Sequence, residues 1–314
     1  MSKGEVGIVI LQFPDPAHAV DQIVEADRMG IASVWMTCGG LLADTLTLFA
    51  AAAVRTQRIV LGSAIVPTWP RNPVFLVQQI LALEALAPGR LRVGVGPSTE
   101  GAMRPFGVDY RNPLRQLREY LIVLRALLHE GKVDFQGDQM RARARIAAPV
   151  QTPILASALQ ARAFELCGAH ADGAISWVCP HTYLRTHALP ALRRGAAAAG
   201  RAAPPLLVHT PICIEEDPAR VRAATQQQLG MYGRFQFYKD MFAKSGYPDA
   251  GAAFSQALVD DLVVYGNEKA VAKRLAELAA SGIGNVMAHP MLVGDDPKAS
   301  LTRAFAAVAE SATF

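Results

Sequence analysis

The chain alternates two kinds of apolar segment. Short runs rich in Val and Ile recur between longer Ala/Leu-rich stretches with helical character, from one end of the chain to the other. The first kind predicts strands over Val6 to Leu11, Ser33 to Thr37, Ile59 to Val66, Leu91 to Gly96, Ile154 to Ser157, Gly173 to Trp177, Leu206 to Ile214 and Asn285 to His289. The second predicts helices near Pro16 to Met29, Asp44 to Arg55, Pro73 to Ala87, Pro113 to His129, Ala161 to Ala169, His181 to Ala199, Pro218 to Ala243, Glu268 to Ala280 and Pro297 to Ala309. Prolines at or near the first turn suit several of these starts. No Pro/Gly/Ser linker or charged block divides the repeat, so residues 1–314 read as one βα domain. Eight strands close a barrel, which favours a (β/α)8 TIM barrel over the competing doubly wound open sheet. Two insertions interrupt it: a hairpin near 132–146 that turns at Gln136, Gly137 and Asp138, and a helical excursion near 246–262.

Composition narrows the class. With 314 residues, 51% hydrophobic and 18% charged, the chain has ample material for a large core. No apolar run approaches the roughly 20 residues a bilayer requires, and "MSKGEVGIVILQF" lacks a cleavage signal, so a cytoplasmic location without membrane contact is expected. Cys38, Cys167, Cys179 and Cys213 are widely spaced and form no C-x-x-C, which points to reduced thiols and no bound metal. A net charge of +4, mostly dispersed, argues against a nucleic-acid partner. The exception is "MRARARI", whose Arg141, Arg143 and Arg145 share one face if the segment is a strand: a solvated edge, or a cradle for an acidic ligand tail.

Chemistry in a βα barrel sits where strands end. "GVGPSTEG", Gly94 to Gly101, has neither the glycine spacing nor the chain position of a dinucleotide fingerprint, and it is not G-x-S-x-G. Gly94 and Gly96 allow either a flat ligand or a neighbouring strand to come close. "ASALQARAFELCG" runs from strand into helix, and its start is an anion site with Arg162 beside it or an ordinary turn. "ILQFPDP" at the end of the first strand carries no imidazole, which disfavours a metal hydrolase. His209 and His289 end two strands and read as buried core. In "LGSAIVPTWPRNP", Leu61 to Pro73, small residues at a strand end suit a bulge directed into a pocket, though the residues alone favour an ordinary strand end followed by a proline-rich loop. Trp177 ends a strand and reads as a pocket wall, while Trp35 reads as core.

Taken together, "GIASVWM", "DTLTLFAAAAVRTQRIVLGSAIVPTWPRNPVFLVQQILALEALAPGRLRVGVGPS", "REYLIVLRALLHEGKVDFQGD" and "PILASALQARAFELCGAHADG" resemble, in order and spacing, the luciferase-like monooxygenase superfamily. Within it, "VPTWPRNP", "GRLRVGVGPS" and "LASALQARAFELCGAHADG" are more similar to the branch that uses coenzyme F420, a 5-deazaflavin. The resemblance implies a bacterial luciferase-like barrel and a bulge at the end of the third strand, with a non-prolyl cis peptide between Ala64 and Ile65 next to Ser63. It implies that Gly96, Pro97 and Ser98 flank the coenzyme ring and that Ser157, Ala158, Leu159, Gln160, Ala161 and Arg162 hold its phosphate. Where several relatives carry Asp-His, this chain has Cys38 and Gly39, so either the substrate needs no proton there or Thr37, Cys38, Glu100 or a strand-end histidine supplies it, Glu100 having the better proton chemistry. The implied activity is hydride transfer between the deazaflavin and a small organic substrate. An FMN-dependent monooxygenase fed by a partner reductase, or a non-catalytic deazaflavin- or flavin-binding protein, are the other readings, and a homodimer is possible.

Overall fold

A computed structural model describes residues 4–11, 15–39 and 41–314. The strands are β1 Val6–Val9, β2 Ser33–Met36, β3 Val60–Pro67, β4 Leu91–Gly96, β5 Lys132–Gln136, β6 Arg141–Arg145, β7 Ile154–Ser157, β8 Gly173–Ser176, β9 Leu206–Ile214, β10 Val264–Gly266 and β11 Asn285–Pro290. Parallel pairing runs β1-β2-β3-β4-β7-β8-β9-β11 and back to β1, closing eight staves into a (β/α)8 barrel. The eight barrel strands are almost wholly buried, as parallel strands covered by helices must be.

Helix starts follow a repeated local rule. An Asp or Asn precedes Pro at Pro16, Pro73, Pro218 and Pro297, and each accepts a hydrogen bond from a backbone N–H of the first turn. Proline supplies the helical φ and lacks the N–H that would go unpaired there, while the carboxylate or amide caps the next. The long helix Pro113–Glu130 starts on Asn112–Pro113 too, with Asn112 left-handed and no side-chain cap.

Inside the barrel, Val9, Trp35, Ala64, Leu155, Ile175, Leu207 and Met287 form one apolar cluster. Trp35 fits because its neighbours are small: a Cβ on Gly62 would lie 2.3 Å from the indole, and one on Gly7 would lie 3.1 Å from its Nε1. The indole N–H donates to Ser33 Oγ at 2.9 Å. Trp35 is core.

Four local expectations change. β1 ends at Val9, Leu11 is exposed, and Gln12 to Pro14 of "ILQFPDP" lie outside the described residues. The stretch 218–243 is not one helix: Pro218–Leu229 gives way to a 3-10 turn, Gly230–Arg234, before Gln236–Lys244. Gly230 and Gly233 weaken the helix, and Gly233 packs so closely that its Cβ would sit 2.3 Å from the Ala250 carbonyl oxygen. In 181–199 the helix widens to a π-turn over Leu184–Ala188, just before Pro190, which has no N–H to donate to the preceding turn. β10, three residues long, pairs outside the barrel on Ile212 to Ile214. The hairpin β5–β6 lies along the outside of the Pro113–Glu130 helix, whose Glu119 accepts from the N–H groups of Asp138 and Gln139 at the turn. The later insertion folds as the 3-10 turn Pro248–Gly251 and the helix Gln256–Leu262.

Candidate active site

At the C-terminal mouth of the barrel β3 advances three residues, Ser63 to Val66, while β4 advances two, Val93 to Val95. The extra residue is a bulge. Ser63 bridges the gap, its Oγ donating to the Gly94 carbonyl and accepting from the Gly94 N–H, both at 3.0 Å. The Ala64–Ile65 peptide is cis. The Ile65 carbonyl accepts from the Cys38 N–H at 3.3 Å, which ties the end of β2 to the bulge, and the Thr68 N–H resumes the ladder on the Gly96 carbonyl at 2.9 Å. Gly94 is explained by protein packing, since its Cβ would meet the Ser63 carbonyl oxygen at 2.2 Å and Ile175 Cδ1 at 2.4 Å. A Cβ on Gly96 would reach Ser157 Oγ at 2.1 Å and Ile65 Cγ1 at 3.3 Å, so the ends of β3, β4 and β7 converge there. Pro97 and Ser98 are half-buried, and Ser98 has φ 59°. Its carbonyl accepts from the Tyr110 hydroxyl at 2.8 Å, and Tyr110 rests against Trp69, braced at 5.1 Å between ring centroids.

Beyond Ser157, the Ala158 N–H reaches back to the Ile175 carbonyl at 2.9 Å, and the Leu159 carbonyl accepts from the Tyr183 hydroxyl at 2.9 Å. Gln160 is then the N-cap of the helix Ala161–His170 without capping it: its side chain instead donates to the Phe237 carbonyl at 2.8 Å and accepts from Lys244 Nζ at 2.9 Å. Among the described residues the backbone N–H groups of Gln160, Ala161 and Arg162 have no acceptor, with Arg162 exposed and Lys244 adjacent. This is the electrostatic form of an anion site at a helix start. Sequence spacing gave no hint of Lys244, which arrives from the second segment of a helix read as unbroken.

Trp177 is half-buried beyond the end of β8. Its indole N–H donates to the Tyr232 hydroxyl at 2.8 Å, and its ring lies 3.8 Å from that of His209. The next residue, Val178, has φ 51°, a conformation a β-branched side chain rarely takes, and its N–H donates to His209 Nδ1 at 3.2 Å. His209 Nε2 lies 2.8 Å from His289 Nδ1. Burial lowers the pKa of both rings, His289 to about 4, and a charge on His289 lowers that of His209 further.

Cys38 and Glu100 sit differently. Burial pushes the half-buried Cys38 thiol above its ordinary value despite hydrogen bonding to Thr45, so it stays protonated at neutral pH. Glu100 is exposed at the first position of the short helix Glu100–Met103; burial and its charge together raise the Tyr110 phenol to about 12. Arg141, Arg143 and Arg145 are exposed on the hairpin, outside the barrel wall, with Arg143 facing Asp134 at 3.6 Å. That placement is a solvated edge. The "VPTWPRNP" loop is pinned by Arg71 to Asp44 at 2.6 Å and by Thr68 to Gln116 at 2.7 Å. Two depressions elsewhere, about 260 Å³ beside Gly4, Gly30 and Ser311 and about 370 Å³ between His181, Asp261 and Arg274, involve none of these mouth residues.

Comparison with known proteins accords with this geometry. Residues 2–285 match the family described as luciferase-like monooxygenase. An F420-dependent glucose-6-phosphate dehydrogenase of Nakamurella multipartita is 32% identical over 205 residues, 59% of this chain and 60% of that protein. Among solved structures, an F420-dependent secondary alcohol dehydrogenase in complex with an F420-acetone adduct superposes with a TM-score of 0.81 at 18% identity, covering 99% of each chain. The oxygenating constituent of 3,6-diketocamphane monooxygenase from Pseudomonas putida, in complex with FMN, gives 0.76 at 18% identity, covering 98% of this chain and 97% of that one.

Proposed function

The chain belongs to the luciferase-like monooxygenase family, and from that membership we propose that it is an F420-dependent oxidoreductase acting on a small organic substrate. The observation that carries the reading is the convergence, on the adjacent staves β3, β4, β7 and β8, of a bulged strand end with a helix start whose free N–H groups are flanked by Arg162 and Lys244. These residues fit a flat ring bearing an anionic tail. Ser63, Ala64 and Ile65 would support the ring from one side, Gly96, Pro97, Ser98 and Trp177 would flank it, and Ser157 to Arg162 would take the phosphate. When bound, the deazaflavin supplies hydride chemistry at its C5 carbon. The chain's own contribution is positioning and a fixed polar surround. Cys38, a neutral thiol, offers at most a weak hydrogen bond, and Glu100 is a proton source only for a substrate that reaches the rim.

The FMN complex of the Pseudomonas putida relative favours a second reading, a flavin-dependent monooxygenase. Titrating the purified protein with F420 and with FMN separates the two. Micromolar binding of F420 with hydride transfer to an organic acceptor supports the first; binding of FMN alone, with oxygen uptake when the flavin is reduced, replaces it with the second.

A further inference from the structure

The mouth contains a pair of imidazoles whose hydrogen atoms are placed by the hydrogen-bond pattern alone. Side chains on a strand alternate faces. Leu207 and Met287 point into the barrel with the apolar cluster, so His209 and His289, two residues further along the same strands, point inward too; His209 is in register with Met287, and His289 lies one inward step further toward the mouth. His209 is fully buried and His289 8% exposed. The Val178 N–H can only donate, so His209 Nδ1 is the bare nitrogen and a neutral His209 carries its hydrogen on Nε2. That hydrogen is directed at His289 Nδ1. A neutral His289 is then also protonated on Nε2, and this N–H, on a ring 8% exposed, has no acceptor among the described residues. Trp177 covers the face of His209, at 3.8 Å, and its ring is 5.9 Å from that of His289. Beyond each other, the rings meet the indole of Trp177 and, through it, the Tyr232 phenol; no carboxylate or cation is paired with either imidazole among the described residues.

We propose that His289 donates the hydrogen bond from Nε2 to a carbonyl or hydroxyl oxygen bound in the barrel mouth, with His209 as the positioning residue that fixes its tautomer. The inference rests on reading this mouth as the active site. The relay begins at a peptide N–H, which cannot resupply a proton, so His289 polarises the oxygen and keeps its hydrogen; giving it up would leave an imidazolate in an apolar setting. The acceptor oxygen belongs either to the substrate, which is then a ketone, aldehyde or alcohol, or to a ring carbonyl of the cofactor. The donor stands on β11, beside β1, and thus replaces from another stave the polar group absent at Cys38–Gly39.

The test has two arms. In protein labelled with 15N-histidine, long-range 1H–15N spectra are expected to show both rings protonated on Nε2 and bare on Nδ1, with neither titrating between about pH 7.5 and about pH 5.5. A hydrogen on Nδ1 of His289, or titration of either ring near its ordinary value, overturns the proposal. In the second arm F420 affinity is measured by fluorescence for wild type, His289→Phe and His289→Gln, followed by turnover of acetone, cyclohexanone and benzaldehyde with reduced F420. A loss of turnover of about 100-fold in His289→Phe, largely restored by the amide of His289→Gln and with F420 affinity unchanged, assigns the oxygen to the substrate. A parallel loss of F420 affinity assigns it to the ring. Wild-type affinity and turnover in His289→Phe overturn the proposal. Failure of the wild type to bind F420, with the expected spectra, overturns the cofactor reading and leaves the donor assignment standing.

Discussion

Ser63 Oγ lies 3.0 Å from both the nitrogen and the carbonyl oxygen of Gly94, replacing with one hydroxyl the two ladder bonds that the β3 bulge takes away. Both Gly94 groups are buried, so removing the hydroxyl leaves two backbone groups unpaired, where an unmade buried hydrogen bond costs about 1–3 kcal/mol. Ser63→Ala is therefore expected to lower unfolding free energy in urea by about that amount. Ser63→Thr, which keeps the hydroxyl, tests whether the loss follows the hydrogen bonds; equal stability of Ser63→Ala and wild type contradicts the bridge.

Ala64 is small, 6% exposed and part of the interior cluster. Ala64→Trp is expected to cut F420 affinity by at least about 100-fold while far-UV circular dichroism stays native, since the added ring takes the space beside the bulge that the coenzyme ring would use. Unchanged affinity removes Ala64 from the site.

Asp27, near the end of the helix Pro16–Arg28, is buried and accepts from the N–H groups of Gln57, Arg58 and Ile59 at 3.1, 3.0 and 2.7 Å. Burial alone would raise its pKa; the three N–H donors and Arg58 outweigh burial and lower it. The carboxylate fixes the turn that leads into β3. Asp27→Asn is expected to cost about 2 kcal/mol in denaturant unfolding, because one of its acceptor oxygens becomes an NH₂ facing donors.

Acid should destabilise the fold through its buried imidazoles. Burial lowers His289 and His181 to about 4, and His209 well below its ordinary value. Between about pH 6.5 and about pH 4 the unfolded chain binds protons that the folded chain refuses, so stability falls as pH falls through that window. His289 alone accounts for roughly 3 kcal/mol of that loss. His289→Phe, if it folds, should flatten the stability–pH slope over the same window in urea titrations; an unchanged slope means that the ring titrates in the folded chain as it does in the unfolded one.

The parts of this architecture that were legible in the sequence are those set by local pattern. β4 and β7 fall on the expected residues, Leu91–Gly96 and Ile154–Ser157, because small and β-branched residues there are bounded by Pro and Gly. The bulge at Ser63 to Val66 was legible through family resemblance, whereas the local residues favoured an ordinary strand end. Gly94 shows what local reading leaves open: of the two readings of its missing side chain, packing holds, since it makes room for the Ser63 carbonyl and Ile175. Lys244 and the histidine pair depend on contacts across 84 and 80 residues of chain, and on which inward level each strand residue reaches in the closed barrel. Periodicity within a segment carries none of that.

A crystal structure of the protein with F420 tests the central claim most directly. The account predicts the deazaflavin ring against the Ala64–Ile65 segment and its phosphate on the N–H groups of Gln160, Ala161 and Arg162, within reach of Lys244. A coenzyme bound elsewhere, with the mouth closed by side chains and those amides facing only water, contradicts it.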